Sequence, residues 1–456
     1  MTGIPPLVLD RSSGVPLAAQ LADALRAAAS GGGLRPGDRL PSTRELAAAL
    51  RVSRTVTSAA YDQLLAEGWA GGRRGVGTFV LGAVPSAAAV PAPRAEVVRV
   101  PALLELRAGS PCLEVLDRAA WRRAWRAAGD LPPDLRPDPA GDAAFRTAVA
   151  EHLLRHRGLV AAADDVLATA GTSAGVGEVA RLLPPGSRVA VEDPGYSRAV
   201  GALRDAGVEV VPVPVDDDGL VVDALPDGLA AVYCTPAHQY PTGRRMSAAR
   251  RLDLVARARA GGWWVLEDDY DGELRFDVAP LPLLGALGPD VVVHLGTSSK
   301  ILSPTLGVGW LVAPAPLRDA LLARRSATGI RPARAGQRVL TALAGSGDLA
   351  RHLRRLRREM AARREQVRTA IAAAGLATEG DPAGAHVLVP LCDVGTERSV
   401  IGAGARRGLA LDGLGRHHLD DAPGRRAGLV LGFAAPTRVE LDRALPVLSD
   451  VLRAHR

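Results

Sequence analysis

Lys300 is the only lysine of this 456-residue chain, although lysine and arginine together number 56. An arginine serves most salt bridges and phosphate contacts, but its guanidinium stays charged and does not form a Schiff base. A lysine amine in a desolvated place can lose its proton and attack an aldehyde carbon. The stretch VVVHLGTSSK (291–300) is typical of a buried strand that runs into a turn rich in hydroxyls. We therefore expect Lys300 to be a nucleophile.

Polar residues that could complete a site around this amine lie at the ends of predicted strands. Pyridoxal phosphate needs an amine, a carboxylate for the pyridine nitrogen, a donor for the phenolic oxygen, and hydroxyls and amides at a helix start for the phosphate. After the strand WWVLE, Asp268 can supply the carboxylate and Tyr270 the donor. The groups expected to hold the phosphate are Thr297, Ser299 and the turn of Gly171, Thr172 and Ser173.

Some of these patterns have other interpretations. The acidic run EDDYDGE (267–273) also suits a hard cation or a solvated turn, because carboxylate clusters occur in both. The stretch AGTS (170–173) is also compatible with a plain glycine turn, since one glycine is a weak signal. His238 and Gln239, which follow VYCTP, are further polar candidates at a strand end.

Composition limits the class of protein. With 456 residues and 47% hydrophobic residues, the chain is long enough for a large domain and a smaller one. A net charge of +7 permits nucleic-acid binding, although 49 acidic residues are interspersed with the basic ones. The cysteines Cys112, Cys234 and Cys392 share no metal-ligand spacing and indicate a reducing compartment. No apolar run is long enough to span a membrane, so we expect a cytoplasmic protein without a metal site.

Residues 81–102 divide the chain, because LGAVPSAAAVPAPRAEVVRVPA has neither a helical nor a strand period and suits a linker. In residues 12–80, PLAAQLADALRAAAS (16–30) predicts a helix, and Ser42 with Glu45 forms a capping-box pattern that opens a second one. RTVTSAAYDQLLAEG (54–68) predicts a third helix and WAGGRRGVGTFV (69–80) a hairpin. This order predicts a winged helix-turn-helix, mainly α with a β wing.

The string RPGDRLPSTRELA, followed by VSRTVTSAAYDQLLAEG and GVGTFV, resembles the N-terminal DNA-binding domain of the GntR family. The start of the third helix is where a recognition helix meets base edges, and the cap and the wing can reach phosphates or the minor groove. The alternative is a dimerisation or peptide-binding module with solvated charges. The expected contacts to double-stranded DNA are Arg44, Arg54, Thr55, Thr57, Arg73 and Arg74.

Residues 103–456 alternate apolar strands with helical segments, which predicts an α/β domain with a mainly parallel sheet and ligands at the carboxyl ends of its strands. With GSRVAVEDPGYSRAV, TPAHQYPTGRRMS, VLEDDYDGELRF and HLGTSSKILSP in order, this part resembles a fold-type I aminotransferase domain that binds pyridoxal 5'-phosphate (PLP). The order of the two domains is similar to that of the MocR/GabR regulators.

The resemblance implies roles for particular residues. Lys300 would hold PLP as an internal aldimine, with Asp268 opposite the pyridine nitrogen and Tyr270 near the phenolic oxygen. Tyr196 would lie by the cofactor and Arg198 by an effector, which is an amino compound or PLP itself. The resemblance also implies a head-to-tail homodimer in which each aminotransferase-like domain touches the partner's DNA-binding domain.

Three positions depart from the aminotransferase pattern. Gly307 stands where the family usually has an arginine for the cofactor phosphate, and Val430 about where an arginine clamps a substrate carboxylate. Tyr240 replaces the asparagine that precedes Pro-Thr-Gly. The departures argue against turnover. The prediction is therefore a PLP-dependent transcription regulator that senses PLP, an amino compound or both, and the alternatives are an active aminotransferase with a fused DNA-binding domain or a cofactor scaffold without DNA specificity.

The segment RHLRRLRREMAARREQVR (351–368) predicts a helix with arginine on most faces. Such a helix could contact DNA that passes the second domain. A solvated connecting helix is the preferred interpretation, because Leu353, Leu356 and Met360 give it an apolar stripe.

Overall fold

The computed structural model describes residues 7–73, 76–81, 103–276, 282–419 and 425–455. The chain divides into two compact units, Met1–Arg99 and Val100–Arg456, and each is described by itself. All of the predicted linker except Leu81 lies outside the described residues, and so does the wing residue Arg74. The domain bounds 12–80, 81–102 and 103–456 therefore stay a prediction.

The first unit is a winged helix-turn-helix, as predicted. Its described elements are α1 (Leu17–Ser30), α2 (Thr43–Leu50), α3 (Arg54–Ala66), β1 (Ala70–Arg73) and β2 (Gly77–Val80). The capping box at the start of α2 is present, because the Ser42 hydroxyl accepts from the Glu45 amide at 3.2 Å and the Glu45 carboxylate from the Ser42 amide at 2.9 Å. Strands β1 and β2 pair antiparallel as the wing.

The three helices of this unit share one small core. Leu21 and Leu25 of α1 pack with Leu46 of α2 and with Tyr61 and Leu64 of α3. These positions recur at helical spacing, so the apolar stripe of each helix turns inward and leaves the charged residues of α2 and α3 toward solvent.

The second unit is built on a mixed sheet of eight strands in the order β4-β11-β10-β9-β8-β5-β6-β7. These strands are β4 (Val166–Thr169), β5 (Arg188–Asp193), β6 (Glu209–Asp216), β7 (Gly219–Leu220), β8 (Leu229–Cys234), β9 (Trp264–Asp268), β10 (Val292–Thr297) and β11 (Gly309–Val312). The central strands β5, β8, β9 and β10 run parallel, and β11 pairs antiparallel with both β10 and β4. The sheet is α/β in the predicted sense, with its polar residues at the carboxyl ends of parallel strands.

Helices cover this sheet and extend into a C-terminal layer. They are α4 (Arg118–Gly129), α5 (Ala143–Arg157), α6 (Thr172–Ala180), α7 (Ser197–Asp205), α8 (Ala248–Gly261), α9 (Leu284–Leu287), α10 (Ala315–Thr328), α11 (Arg334–Gly345), α12 (Asp348–Ala373), α13 (Val394–Arg406) and α14 (Arg438–Arg453). The remaining strands are β3 (Leu104–Glu105), β12 (His386–Leu391), β13 (Leu409–Ala410) and β14 (Ala427–Gly432). Strand β12 pairs antiparallel with β14, and β13 pairs parallel with β3.

The arginine-rich segment forms most of helix α12. Its predicted apolar stripe is buried, because Leu353, Leu356 and Met360 lie in the main core. Arg363 is buried as well and its guanidinium donates to Glu359 at 2.7 Å. The helix therefore packs as part of the domain, while Arg354 and Arg358 are exposed.

None of the helices in the described ranges combines the length and the apolar content that crossing a membrane requires.

Candidate cofactor site and DNA-binding face

Lys300 lies just after β10, in the turn that the sequence predicted. Its amine donates to the carbonyl oxygen of Gly109, which belongs to the segment after β3. Burial lowers the pKa of this amine, and the nearby Arg198 adds to the lowering, while the carboxylates of Asp271 and Asp268 oppose it. A lysine with a lowered pKa carries the neutral amine needed for attack on a carbonyl at a lower pH than an exposed lysine does.

Asp268 ends strand β9, the neighbour of the strand that leads to Lys300. Its Oδ2 atom accepts from the Tyr233 hydroxyl at 2.7 Å, and its buried Oδ1 atom has no hydrogen-bond partner. Burial raises the pKa of Asp268 to about 7, although the hydrogen bond from Tyr233, the nearby Thr172 hydroxyl and the Lys300 amine act in the opposite direction. A buried carboxylate oxygen without a partner fits a protonated ring nitrogen as its missing donor.

Tyr270 follows two residues later and touches a buried histidine. Its hydroxyl oxygen lies 3.1 Å from Nδ1 of His238, and the same nitrogen lies 2.8 Å from Oδ2 of Asp271. Burial raises the pKa of Tyr270 well above the ordinary value, and the Asp271 carboxylate adds to the rise. The phenol therefore keeps its proton and can act as a hydrogen-bond donor.

The predicted phosphate groups come together at the start of α6. Gly171 caps this helix with a φ of 129°, a backbone conformation that favours glycine, and no side chain caps the first-turn amides. A Cβ atom on Gly171 would lie 3.8 Å from Oγ1 of Thr297, and that hydroxyl contacts Ser299 at 3.1 Å. Free helix amides beside two hydroxyls are suited to hold a phosphate. Thr172 and Ser173 form the first turn of this helix.

The acidic run 267–273 is not a solvated turn. All of its carboxylates are buried, so that interpretation is wrong. The carboxylates other than Asp268 point to separate partners: Glu267 accepts from the amides of Leu284 and Gly285, Asp269 pairs with Arg157, Asp271 with His238, and Glu273 with His152. The run therefore anchors several elements around the strand end instead of forming one cluster.

Aromatic side chains line the side of the site that includes Tyr196. Its hydroxyl accepts from Ser173 at 3.5 Å, and its ring meets the ring of Tyr240 edge-on at 5.7 Å. Tyr240 also meets Tyr270 edge-on at 6.0 Å. Two residues after Tyr196, Arg198 is exposed in the first turn of α7, so its guanidinium is accessible to a ligand.

The structure describes all three departures from the aminotransferase pattern. Gly307 has a φ of 57° at the end of a short 3-10 turn, which favours glycine. Val430 is fully buried in β14 and packs with Leu388 and Leu414, so an apolar cluster surrounds the position at which the resemblance implies a carboxylate clamp. Tyr240 is buried and offers a ring where an asparagine would offer an amide.

Four of the residues predicted to contact DNA lie on three elements of the first unit. Arg44 lies in the first turn of α2, Arg54 and Thr55 begin α3, and Arg73 ends β1. All four are exposed, and the guanidinium of Arg73 stacks over the ring of Phe79 at 5.1 Å. This arrangement matches the docking geometry of a recognition helix and a wing.

Thr57 corrects the sequence-based prediction. It is fully buried, and its hydroxyl donates to the carbonyl oxygens of Thr43 at 2.9 Å and Arg54 at 3.0 Å. A buried side chain whose hydroxyl is already bonded does not reach a base edge. Thr57 instead fastens α3 to the start of α2.

Comparison with known proteins places both units in described families. Residues 17–80 match the bacterial regulatory proteins of the gntR family, and residues 105–400 match aminotransferase class I and II. The chain is 35% identical over 449 residues to the pyridoxine biosynthesis transcriptional regulator PdxR of Corynebacterium glutamicum, with 98% of each chain covered. It is 32% identical to the probable rhizopine catabolism regulatory protein MocR of Rhizobium meliloti, covering 94% of this chain and 92% of the relative.

This chain belongs to the MocR subfamily of GntR-type transcription regulators.

The large unit of this MocR-type regulator has the fold of PLP-dependent aminotransferases. The kynurenine aminotransferase of Pyrococcus horikoshii superposes with a TM-score of 0.70 at 23% identity, covering 77% of this chain and 91% of that one. The α-aminoadipate aminotransferase LysN of Thermus thermophilus gives 0.68 at 25% identity, with 78% and 93% covered. Together with the family match, these neighbours show that the MocR-type domain binds PLP, which supplies an aldehyde and an electron-accepting ring when bound.

Sequence reasoning missed several groups of this site. Tyr233, which donates to Asp268, comes from β8, and His386, whose ring lies 4.8 Å from that of His238, begins β12. No local motif marks either residue. Only the parallel pairing of β8 with β9 brings Tyr233 beside Asp268, and a pattern read along one strand does not contain that pairing. Gly109 likewise reaches Lys300 from a distant segment.

Proposed function

We propose that this regulator senses PLP itself, and that PLP bound through Lys300 changes how the first unit holds DNA. The observation that carries the proposal is the apolar cluster around Val430, because it leaves no cation in β14 to clamp the carboxylate of an amino acid. The name of the Corynebacterium glutamicum relative, a pyridoxine biosynthesis regulator, points in the same direction.

The geometry of the described residues supports the proposed cofactor contacts. Lys300 would bind the aldehyde carbon, Asp268 the ring nitrogen, and Tyr270 the phenolic oxygen. Tyr196 would lie beside the bound ring. The groups that would hold the phosphate are Thr297, Ser299, Gly171, Thr172 and Ser173. The orphaned Oδ1 atom of Asp268 supports this arrangement most directly, since a buried acceptor without a donor is unfavourable until a ligand supplies one.

A second ligand has one candidate contact. Arg198 is exposed near Lys300, so a carboxylate or another anion of an amino compound could bind there. The proposed order of importance is PLP first and an amino compound second. A panel of amino acids, each added to the PLP-loaded chain on labelled promoter DNA, separates the effect of PLP from that of an amino compound. A second effector would change the affinity for DNA beyond the change that PLP causes.

We further propose a cytoplasmic head-to-tail homodimer that reads double-stranded DNA through Arg44, Arg54, Thr55, Arg73 and the wing residue Arg74. Leu131 and Leu135 of the second unit are 50% and 100% exposed, which supports a partner that covers this segment. A ligand shifts such an assembly only if it binds one arrangement more tightly than another. Light scattering of the full chain as it elutes from a gel-filtration column measures whether it is a dimer.

Catalysis is the second candidate function. Lys300, Asp268 and Tyr270 retain the groups that an aminotransferase uses, whereas Gly307, Val430 and Tyr240 do not. Keto-acid release from an amino acid panel distinguishes the two. With a second keto acid present to accept the amino group, steady turnover would favour the enzyme, and no keto-acid release from any amino acid of the panel would favour a sensor.

The direct test of the proposed function is binding of the full chain to DNA from upstream of its own gene, followed by fluorescence anisotropy at one salt concentration. We expect PLP to change the dissociation constant by roughly fivefold or more, the usual scale of allosteric coupling. Equal affinity with and without PLP would contradict PLP sensing.

A further inference from the structure

We propose that His238, held by Asp271, is a positioning residue that turns the hydroxyl hydrogen of Tyr270 toward the phenolic oxygen of bound PLP. The inference rests on the proposed cofactor contacts and adds a second layer to them. It concerns His238, which the strand-end pattern marks as a polar candidate, and Asp271 of the acidic run, and neither has so far been given a part in holding the cofactor.

Nδ1 of His238 is close to two oxygen atoms. Nδ1 of His238 lies 2.8 Å from Oδ2 of Asp271 and 3.1 Å from the hydroxyl oxygen of Tyr270. A carboxylate can only accept, so Nδ1 must carry the hydrogen. A protonated Nδ1 has no lone pair left to accept a hydrogen, so the phenol of Tyr270, 3.1 Å away, cannot give its own hydrogen to Nδ1. The hydroxyl hydrogen of Tyr270 is left for a ligand.

The surroundings hold this pair in one orientation. Both His238 and Asp271 are buried. A Cβ atom added at Gly384 would lie 2.2 Å from Cε1 of His238 and 2.7 Å from Oδ2 of Asp271, so the chain before β12 packs directly against both. The imidazole therefore has no room to rotate away, and the histidine keeps its hydrogen on the side of Tyr270.

The other ring nitrogen of His238 favours the same protonation. Nε2 is buried without a hydrogen-bond partner. The centroid of the His386 ring lies 4.8 Å from that of the His238 ring. Burial holds the pKa of His386 well below its usual range, so this neighbour stays neutral. No acceptor among the described residues forms a hydrogen bond with a hydrogen on Nε2, whereas the Asp271 carboxylate accepts one from Nδ1.

Because of Tyr240, the orientation of the Tyr270 hydroxyl is more important in this chain than it would be with an asparagine at position 240. The asparagine that it replaces would have offered an amide to the cofactor's phenolic oxygen. Tyr240 instead places a ring edge-on to Tyr270 at 6.0 Å, so Tyr270 is left as the donor that faces this oxygen. A single donor must be well oriented to stabilise a phenolate, which is what the Asp271–His238 pair provides.

A metal ion is the competing interpretation of the same side chains. His238, Asp271 and His386 offer ligand atoms that all lie within 4.8 Å of one another. Two ligands of one tetrahedral zinc ion are separated by about 3.3 Å, given bond lengths near 2.0 Å. The 2.8 Å between Nδ1 of His238 and Oδ2 of Asp271 is shorter and has the length of a hydrogen bond.

The test is the pH midpoint of the visible absorbance band of the PLP-loaded full chain. The charged and titratable groups that face Tyr270 are His238, Asp271, Asp268, Tyr240 and Glu192, so only variants that leave the carboxylates in place are compared. His238→Gln moves the side-chain donor to the Nε2 position, while His238→Asn keeps it near the Nδ1 position.

Loss of donation to the phenolic oxygen raises the midpoint, because the charge left on that oxygen then favours the protonated form of the chromophore. We expect a rise of about one pH unit for Tyr270→Phe, the size of one hydrogen bond to a charged group. His238→Gln is expected to raise the midpoint in the same direction, and His238→Asn to stay close to the unmodified chain. His238→Gln added to Tyr270→Phe is expected to raise it no further.

Three results would overturn the proposal. They are an unchanged midpoint in His238→Gln, an equal additional shift in the Tyr270→Phe background, and a midpoint that moves on EDTA treatment and returns with Zn²⁺. Circular dichroism of each variant, with His238→Asn as the matched reference, separates these outcomes from misfolding. Absence of a visible band in the unmodified chain would instead contradict the proposed PLP binding through Lys300, so the two failures are distinguishable.

Discussion

Lys300 is the single lysine of the chain, and its surroundings change the pKa of its amine. A chain that uses arginine at every other cationic position keeps a single amine, and the fold buries much of it beside Asp268 and Asp271. Burial favours the neutral amine, and the two carboxylates limit how far its pKa falls. At a given pH, Lys300 is therefore more often neutral, and so more reactive toward an aldehyde, than an exposed lysine is.

Replacement of Lys300 tests this role. Lys300→Ala is expected to abolish the visible PLP band, because no other lysine is present to bind the aldehyde. Lys300→Arg is the charge-matched control and is expected to lose the band as well. The measurement is absorbance after gel filtration, with circular dichroism to check the fold. A band retained in either variant would refute the assignment.

The lowered pKa of Lys300 has a consequence for the pH dependence of PLP uptake. Only the neutral amine attacks the aldehyde, so the uptake rate rises with pH and levels off once the amine has lost its proton. Because burial lowers this pKa, the plateau is expected below the value of about 10.4 that an ordinary lysine would give. Stopped-flow absorbance across a pH series measures it, and a rate that still rises beyond that value would contradict the expectation.

In the first turn of helix α3, neighbouring residues differ in exposure and therefore in role. Arg54 and Thr55 are exposed at the start of the helix, whereas Thr57, two residues on, is buried and bonded to two carbonyl oxygens. Helical geometry turns successive side chains to different faces, so a run of polar residues at a helix start is not one surface. The prediction that all of them contact DNA ignored this rotation.

Arg54 and Thr57 therefore respond differently to substitution. Arg54→Ala is expected to weaken specific DNA binding by about 1–3 kcal/mol while the salt dependence changes little, which is typical of a base contact. Equal weakening on specific and non-specific DNA would contradict that role. Titrations on both DNAs at several salt concentrations measure it.

Thr57→Val is expected to lower the free energy of unfolding by about 1 kcal/mol, because it removes the hydroxyl that joins α2 and α3. Specific DNA affinity well below the unfolding transition is expected to stay near that of the unmodified chain. Thr55→Val, at an exposed position, is the matched control for stability. Denaturant unfolding gives the comparison, and an unchanged stability in Thr57→Val would mean that its two hydrogen bonds contribute little.

Sequence patterns captured those parts of the structure that local rules govern. The capping box at Ser42, the strands that precede Asp268 and Lys300, and the glycine turn at Gly171 all depend on residues a few positions apart. The partners of these groups depend on strand order. Tyr233 reaches Asp268 only because β8 pairs with β9, and the surroundings of His238 include His386, which is more than a hundred residues away. The first residue of β12 carries no pattern that places it there.

At the scale of the whole molecule, the two units are joined in one chain that combines the gntR and aminotransferase families. Such a chain functions as a sensor only if ligand binding and DNA binding are linked by a free energy of coupling, and this coupling acts equally in both directions. DNA that favours the PLP-loaded form must therefore also raise the affinity for PLP.

The most direct test of this account is footprinting of the DNA upstream of the chain's own gene, at one salt concentration, with and without PLP. The unmodified chain and Lys300→Ala are compared side by side. We predict a protected site whose extent or affinity changes with PLP in the unmodified chain and does not change in Lys300→Ala. Protection that is identical with and without PLP in the unmodified chain, or equally responsive in Lys300→Ala, would contradict the claim that this regulator senses PLP through its single lysine.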